Sequence, residues 1–438
     1  MAIVPQPSLF SWKEIENLAD LQRLLLLLTH LPDEPLMRHL ESQRGRGRND
    51  YPIRAMWNSV LAGIVYQHPS IESLRRELMR NAQLRQLCGF DLCKGMDAVP
   101  STNAYTNFLT LLMTHMDRVD ALFYDLVDKL KAVLPNFGKT LAIDSKAIGS
   151  RSRKVSSQAT PDGRGETDAD TGVKTYKGTR KDGTLWESVK RWFGFKLHLI
   201  VDADYEMPVD YKVTRASASD IVVGRNMIAE MAENRPEILE NAEYGLGDKG
   251  YDDTKLITTL WDEYGIKPII DIRDQWKIDG ARLVHGQTNV SHDYKGTVFC
   301  HCPIKWEKRP MAYGGFEKDR QTLKYRCPAK HYGVECKGRD RCCISDSIRI
   351  PIHSNPRIFT PLPRDSYKWE KLYKKRSSVE RVNGRLDESF GFEKHFIRGQ
   401  KKMKLRCGLA LIVMLGMAYG RMKEKQPDKL RSLVQPAA

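Results

Sequence analysis

Two aspartates close short apolar runs, Thr140-Leu-Ala-Ile-Asp144 and Tyr244-Gly-Leu-Gly-Asp248. Each run suits a buried strand, so each carboxylate is expected at a sheet edge, where α/β proteins gather ligands. Either aspartate alone could simply cap the segment that follows. A third carboxylate sits in Tyr373-Lys-Lys-Arg376-Ser-Ser-Val-Glu380. On a helix these named residues fall at i, i+3 and i+7 and share one face. Alone, Arg376 and Glu380 read as a surface pair worth a few tenths of a kcal/mol. Together, Asp144, Asp248 and Glu380 form an oxygen-only set suited to Mg²⁺ or Mn²⁺. Two such ions can activate a water or a 3′-hydroxyl and stabilise the leaving oxygen in phosphoryl displacement. No histidine or cysteine constellation competes for the chemistry, and the Gly-x-x-x-x-Gly-Lys-Ser/Thr phosphate loop is absent from the sequence.

The elements that must position these groups follow from periodicity. Residues 1–135 read as a helical domain, with helical patterns over Trp12–His30, Ile53–Tyr66 and Ser70–Leu87, and another opening at Pro100-Ser101-Thr102. A basic break at Gln43–Asp50 interrupts them. Arg75, Arg76, Arg80 and Arg85 lie along one helix, as a solvated face or as phosphate contacts. Residues 136–273 read as the first part of a catalytic domain. It has a strand to Asp144, a polar loop over Ser150–Lys190, a hairpin of Phe193–Asp202 with Met207–Thr214, and a helix Asp220–Asn234 capped by Ser219. The strand to Asp248, a helix Thr254–Tyr264 and a strand Lys267–Ile272 complete it. That order fits a mixed α/β sheet flanked by helices. Residues 274–364 read as a β-rich insertion, and residues 365–425 return to helix and carry Glu380. Residues 426–438 form a tail.

The chain has 438 residues, 71 Lys+Arg against 55 Asp+Glu and a net charge of +16. That balance favours a polyanion partner, most often nucleic acid, over a basic enzyme without one. Between Arg364 and Lys425 there are 17 Lys+Arg against 7 Asp+Glu, a net +10 around Glu380. No continuous apolar run reaches the roughly 20 residues of a bilayer span. The N-terminus lacks the pattern of a signal peptide, so a cytoplasmic, nucleoid-associated protein is expected. Six of nine cysteines lie within 44 residues: Cys300, Cys302, Cys327, Cys336, Cys342 and Cys343. Their spacing lacks paired C-x-x-C knuckles. Structural zinc on Cys300, Cys302, Cys327 and Cys336 or Cys342, or plain reduced thiols, are the two readings.

Leu141-Ala-Ile-Asp144-Ser-Lys, Gly247-Asp248-Lys-Gly-Tyr251-Asp252 and Tyr373-x2-Arg376-x3-Glu380 resemble motifs of bacterial insertion-sequence DDE transposases of the Tyr-Arg-Glu-Lys signature group. Phe195-Lys-Leu-His198 with Ala216-Ser-Ala-Ser-Asp220 is similar to that group's second strand and the turn after its third. Ser73-Leu-Arg-Arg-Glu77 through Phe90 to Ser101 resembles its N-terminal helices. The resemblance implies an RNase H-like catalytic domain, interrupted by an insertion between the second Asp and the Glu. It assigns Asp144, Asp248 and Glu380 to two metal ions, and Tyr373 and Arg376 to DNA phosphate. The group's lysine falls seven residues after the Glu, where this sequence has Asp387; Arg381, Arg385 or a neighbour would then supply the charge.

The expected function is DNA transposition: binding double-stranded element ends, metal-assisted strand cleavage and 3′-hydroxyl joining, as a homodimer on DNA. Asp387 leaves open a decayed or domesticated transposase that binds DNA without cutting. An RNase H-like nuclease is a third reading.

Overall fold

The computed structural model describes residues 20–44, 50–152, 166–180, 182–276, 280–305, 307–342, 344 and 346–433. Residues 12–19 of the first expected helix, 45–49 of the basic break, Cys343 and the last five residues lie outside them.

Among the described residues seven helices come first: α1 (Leu21–His30), α2 (Glu34–Ser42), α3 (Ile53–Val65), α4 (Ile71–Arg80), α5 (Ala82–Cys88), α6 (Thr102–Thr114) and α7 (Met116–Val133). Ser70 and Ser101 cap α4 and α6 by accepting from the N–H groups of Ser73 and Ala104. The single helix expected over 70–87 is broken at Asn81, whose side chain accepts from Leu84 N–H and starts α5.

The sheet then forms from β1 (Thr140–Gly149), β2 (Asp170–Thr179), β3 (Leu185–Asp202), β4 (Met207–Arg215), β5 (Tyr244–Gly247) and β6 (Lys267–Ile270). Helices α8 (Asp220–Asn234), α9 (Pro236–Asn241) and α10 (Thr254–Thr258) connect the later strands. β1, β3 and β4 are antiparallel neighbours, whereas β1, β5 and β6 run parallel. The resulting order β4-β3-β1-β5-β6 is the RNase H-like mixed sheet. Two expectations are corrected here. The segment read as a loop over 150–190 contains β2 and the start of β3, paired from Asp170–Gly194 to Thr179–Leu185. Its polar composition concealed strands because both faces are wet. Ser219 makes no side-chain cap on α8. Instead, Lys196 Nζ donates to Asp220 Oδ1 at 2.9 Å and to Ala218 O at 2.8 Å, fastening the start of α8 to β3.

The insertion folds as two small sheets with a separate core of Ile272, Val290, Val298, Leu323, Tyr325 and Ile350. The first joins β7 (Arg282–Leu283), β8 (Val290–His292), β9 (Val298–His301) and β10 (Lys308–Pro310). The second joins β11 (Ala312–Glu317), β12 (Thr322–Arg326) and β13 (Ser347–Pro351), with α11 (Pro328–Tyr332) following β12. The chain returns through α12 (Tyr367–Lys374) and α13 (Ser378–Phe390), separated by the 3₁₀ turn Lys375–Ser377, and closes with α14 (Gln400–Lys423).

α14 is the axis of the main core. It packs against α7, α1 and β4, so the N-terminal helices and the sheet share one hydrophobic interior. A Cβ at Gly416 would stand 2.5 Å from Leu27, which shows how closely α1 and α14 approach. Although no unbroken apolar run was long enough, α14 has the length and apolar composition to cross a membrane; here it is buried in the protein.

Candidate active site

β1 and β5 pair in parallel with Ala142 beside Leu246. Two residues further along both strands, that register sets Asp144 beside Asp248 on neighbouring strands about 4.8 Å apart. Ser145 N–H donates to Asp144 Oδ1 at 2.7 Å, and Gly250 N–H donates to Asp248 Oδ1 at 2.7 Å. Burial, and then the charge of Asp248, push the Asp144 carboxyl up to about 6. Two carboxylates held this way repel each other, which is the electrostatic setting a divalent cation relieves. Below them the Tyr251 hydroxyl is buried without a hydrogen-bond partner among the described residues. Burial, then the charges of Asp144, Asp220 and Asp248, hold that phenol far above its ordinary value.

The 3₁₀ turn between α12 and α13 lies against β1 and β5. It tightens the helix expected to carry Tyr373, Arg376 and Glu380, yet keeps the three side chains together. Arg376 Nη1 donates to Glu380 Oε1 at 2.9 Å, and the guanidinium stands 5.7 Å from the Tyr373 ring centroid. Trp369 stacks on Tyr373 with ring centroids 4.7 Å apart and planes at 12°. The charge of Arg376 also bears on Asp144, and that of Asp248 on Tyr373. Asp144, Asp248, Tyr373 and Arg376 therefore occupy one neighbourhood, with Glu380 at its rim, 55% exposed and held by Arg376.

Among the described residues no three His, Cys, Asp or Glu side chains stand together as a closed metal site. The donor chemistry nonetheless fits Mg²⁺. The carboxylates offer hard oxygens, Asp144 lies in β1 and Asp248 follows β5, its parallel neighbour, and Glu380 is paired to Arg376 at 2.9 Å.

Other expected site residues go elsewhere. Arg381 Nε donates to Glu206 Oε1 at 2.6 Å, and Arg385 Nη2 lies 3.4 Å from Glu206 Oε2. Arg431 Nη1 reaches the same carboxylate at 2.8 Å. The cation nearest Asp387 is Lys146, which forms an ion pair with it from β1. Lys146 follows Asp144 by two residues and so leaves the same strand face; that spacing was the available signal. Asp252, in the same run as Asp248, is fully buried and held by Arg357. In the N-terminal helices Arg75 bonds Glu72 and Pro100 O, Arg80 pairs with Glu77, and Arg85 is buried on the carbonyls of Leu78 and Met79.

Cys300, Cys302, Cys327, Cys336 and Cys342 are free thiols. Burial, then the proximity of Cys327, Cys342 and Cys336, push the Cys300 thiol up to about 11. The N–H groups of Lys305 and Ile304 lower that of Cys302, and Asn289 Nδ2 lies 3.4 Å from Cys342 Sγ.

Residues 136–415 match the family described as Transposase DDE domain, and residues 5–111 match the Transposase domain (DUF772). The chain is a member of the DDE transposase family. No curated protein matches it. A solved piggyBac transposase synaptic complex with hairpin DNA aligns at 11% identity and a TM-score of 0.30, covering 95% of this chain and 86% of that one. A DDE transposase is an enzyme of DNA cleavage and strand transfer, a family chemistry that generally uses divalent metal ions. Its partner is accordingly DNA.

Proposed function

We propose that this transposase acts on the ends of an insertion sequence, cutting at terminal inverted repeats and joining the freed 3′-hydroxyl to target DNA. The observation that carries the reading is the parallel register of β1 with β5, which sets Asp144 beside Asp248, with the Arg376–Glu380 pair at their edge. Asp144, Asp248 and Glu380 would hold Mg²⁺ or Mn²⁺, two ions, which would acidify the attacking water or hydroxyl and stabilise the leaving oxygen. Arg376, planar and permanently charged, turns from Glu380 to a DNA phosphate, and Tyr373 braces it against Trp369. Residues 1–135 serve DNA-end binding and dimerisation, 136–273 and 365–425 catalysis, and 274–364 form the insertion, in a homodimer on double-stranded DNA in the cytoplasm.

Asp144→Ala, Asp248→Ala or Glu380→Ala should each lower Mg²⁺-dependent cleavage of an element-end duplex by roughly three orders of magnitude while sparing DNA binding. Wild-type-like cleavage by any one of them removes that residue from the site. A nuclease would cut such ends without joining them. The reading of a decayed, DNA-binding protein rested on Asp387. Asp387 pairs with Lys146, and Mg²⁺-dependent cleavage by the wild-type protein would remove that reading.

Zinc on Cys300, Cys302, Cys327 and Cys336 or Cys342 is a second, structural assignment, which would require these free thiols to draw together around the ion. Purified protein should contain about one zinc per chain by elemental analysis, whereas less than about a tenth would end the idea.

A further inference from the structure

The ribbon formed by β2 and the outer half of β3 has no part in the site above. Beyond Gly194 these two strands pair with each other alone among the described strands. Val173 is 56% exposed, Leu185 85%, Trp186 38% and Val189 46%. A two-stranded ribbon buries too little to be stable by itself, and its open edges and faces invite a partner. Its root is nevertheless firmly fixed. Asp170 accepts from the N–H and hydroxyl of Ser217, tying the start of β2 to the end of β4. Gly194 has φ +153°, and a Cβ there would stand 2.2 Å from Ile148 O, so only glycine permits this turn beside β1.

Directly opposite residues of an antiparallel pair share a face. One face therefore carries Gly172 with Trp192, Lys174 with Lys190, and Gly178 with Trp186. A Cβ at Gly172 would lie 2.4 Å from the Trp192 ring, and one at Gly178 2.6 Å from Trp186, so both indoles lie flat across the partner strand. Between them two lysines stand in register. Lys174 is also among the charges that act on Asp144, so this face stands next to the strand carboxylates. Over residues 170–193 there are six Lys+Arg against three Asp+Glu, and Asp170 is taken up by Ser217.

We propose that this face of the ribbon is a DNA-holding surface of the catalytic domain. Lys174 and Lys190 receive backbone phosphates, and the indoles of Trp186 and Trp192 pack against the neighbouring sugars and bases. The assignment rests on the DNA transposase reading but adds a surface that none of the active-site motifs contains. Flat aromatic rings interleaved with paired cations suit a nucleic-acid strand better than a second protein subunit.

The test uses the full-length chain, a 30-base-pair duplex labelled with fluorescein, and EDTA to prevent cleavage. Affinity is measured by anisotropy across a salt series. Lys174→Gln with Lys190→Gln should reduce the slope of log K against log salt by about 1.8, two phosphate contacts at about 0.9 each. Trp186→Ala should weaken binding about fivefold or more with the slope unchanged. Circular dichroism melts confirm that each variant is folded. An unchanged slope in a folded double variant overturns the proposal. A change of oligomeric state in sedimentation with an unchanged slope overturns it as well, and makes the ribbon a protein interface. Absence of duplex binding by the wild type defeats the DNA reading itself, and the ribbon proposal with it. Loss of cleavage in the carboxylate variants bears on the active site and leaves the ribbon assignment standing or falling on the salt slope.

Discussion

Asp387 stands where the sequence resemblance expects a lysine, and it pairs with Lys146. The residue seven positions beyond Glu380 is acidic, and the basic partner comes from β1, two residues past Asp144. Lys146 is 11% exposed and Asp387 28%, with Glu393 a further 3.6 Å from the ammonium. Burial holds the Asp387 carboxyl above its ordinary value despite the Lys146 charge, so the pair is not a loose surface contact. Removing either partner leaves a half-buried charge. Lys146→Asp or Asp387→Lys alone should each destabilise the protein by about 1–3 kcal/mol. The exchanged double variant should recover most of that loss, measured by urea unfolding. If the exchange is no better than the sum of the single changes, the two residues do not act as a pair.

At the scale of elements, one carboxylate gathers two arginines of the helix carrying Glu380 and a third from the C-terminal segment. Glu206 sits in the β3–β4 turn with φ +58° and is 8% exposed, receiving Arg381, Arg385 and Arg431. Glu206→Gln should cost about 2–3 kcal/mol of stability by urea unfolding. That is less than the cost of a fully buried pair, because Arg381 and Arg431 remain half in water. Catalysis should suffer more in kcat than in KM, since α13 would lose its register against the sheet. Neither Glu206 nor its arginines could be matched in advance, since 175 positions separate Glu206 from Arg381 and no periodicity links them. What was legible was local. Apolar runs ending in Asp144 and Asp248 announced β1 and β5, Ser70 and Ser101 announced their helices, and the Tyr373–Glu380 spacing announced one helical face. The β2–β3 ribbon was illegible because strand periodicity reports a buried face, and the ribbon has none to report. Lys196 and His198 of the Phe195–His198 run also proved to be fasteners. Lys196 binds Asp220, and His198 is fully buried with Nε2 2.9 Å from Thr214 Oγ1.

For the whole molecule, the insertion is not a loose appendage between the second and third carboxylates. Asp252, four residues past Asp248, is fully buried. It accepts from Arg357 Nη2 at 2.6 Å and Arg357 Nε at 3.0 Å, and from Arg273 N–H at 2.8 Å. Arg364, also buried, donates to the carbonyls of Ile270 and Ile358, linking the end of β6 to the returning chain. Arg357→Ala should therefore cost about 1–3 kcal/mol by removing the nearer of the two cations on a buried carboxylate, with Arg273 Nε remaining 3.8 Å away. It should lower the midpoint of the sheet's unfolding transition, read by near-UV circular dichroism, along with that of the insertion. Independent transitions would show that the two units are uncoupled. The position of α14 in the chain has a consequence for synthesis. This helix fills the interior shared by α1, α7 and β4, but its first residue, Gln400, follows the last residue of α7, Val133, by 267 positions. At about 5–20 residues per second, roughly 15–60 s separate the emergence of α7 from that of α14. Through that interval the nascent chain presents the apolar stripes of α1 and α7 without their cover. Chaperone demand during translation, rather than the strength of the finished fold, would then govern how much working enzyme a cell accumulates.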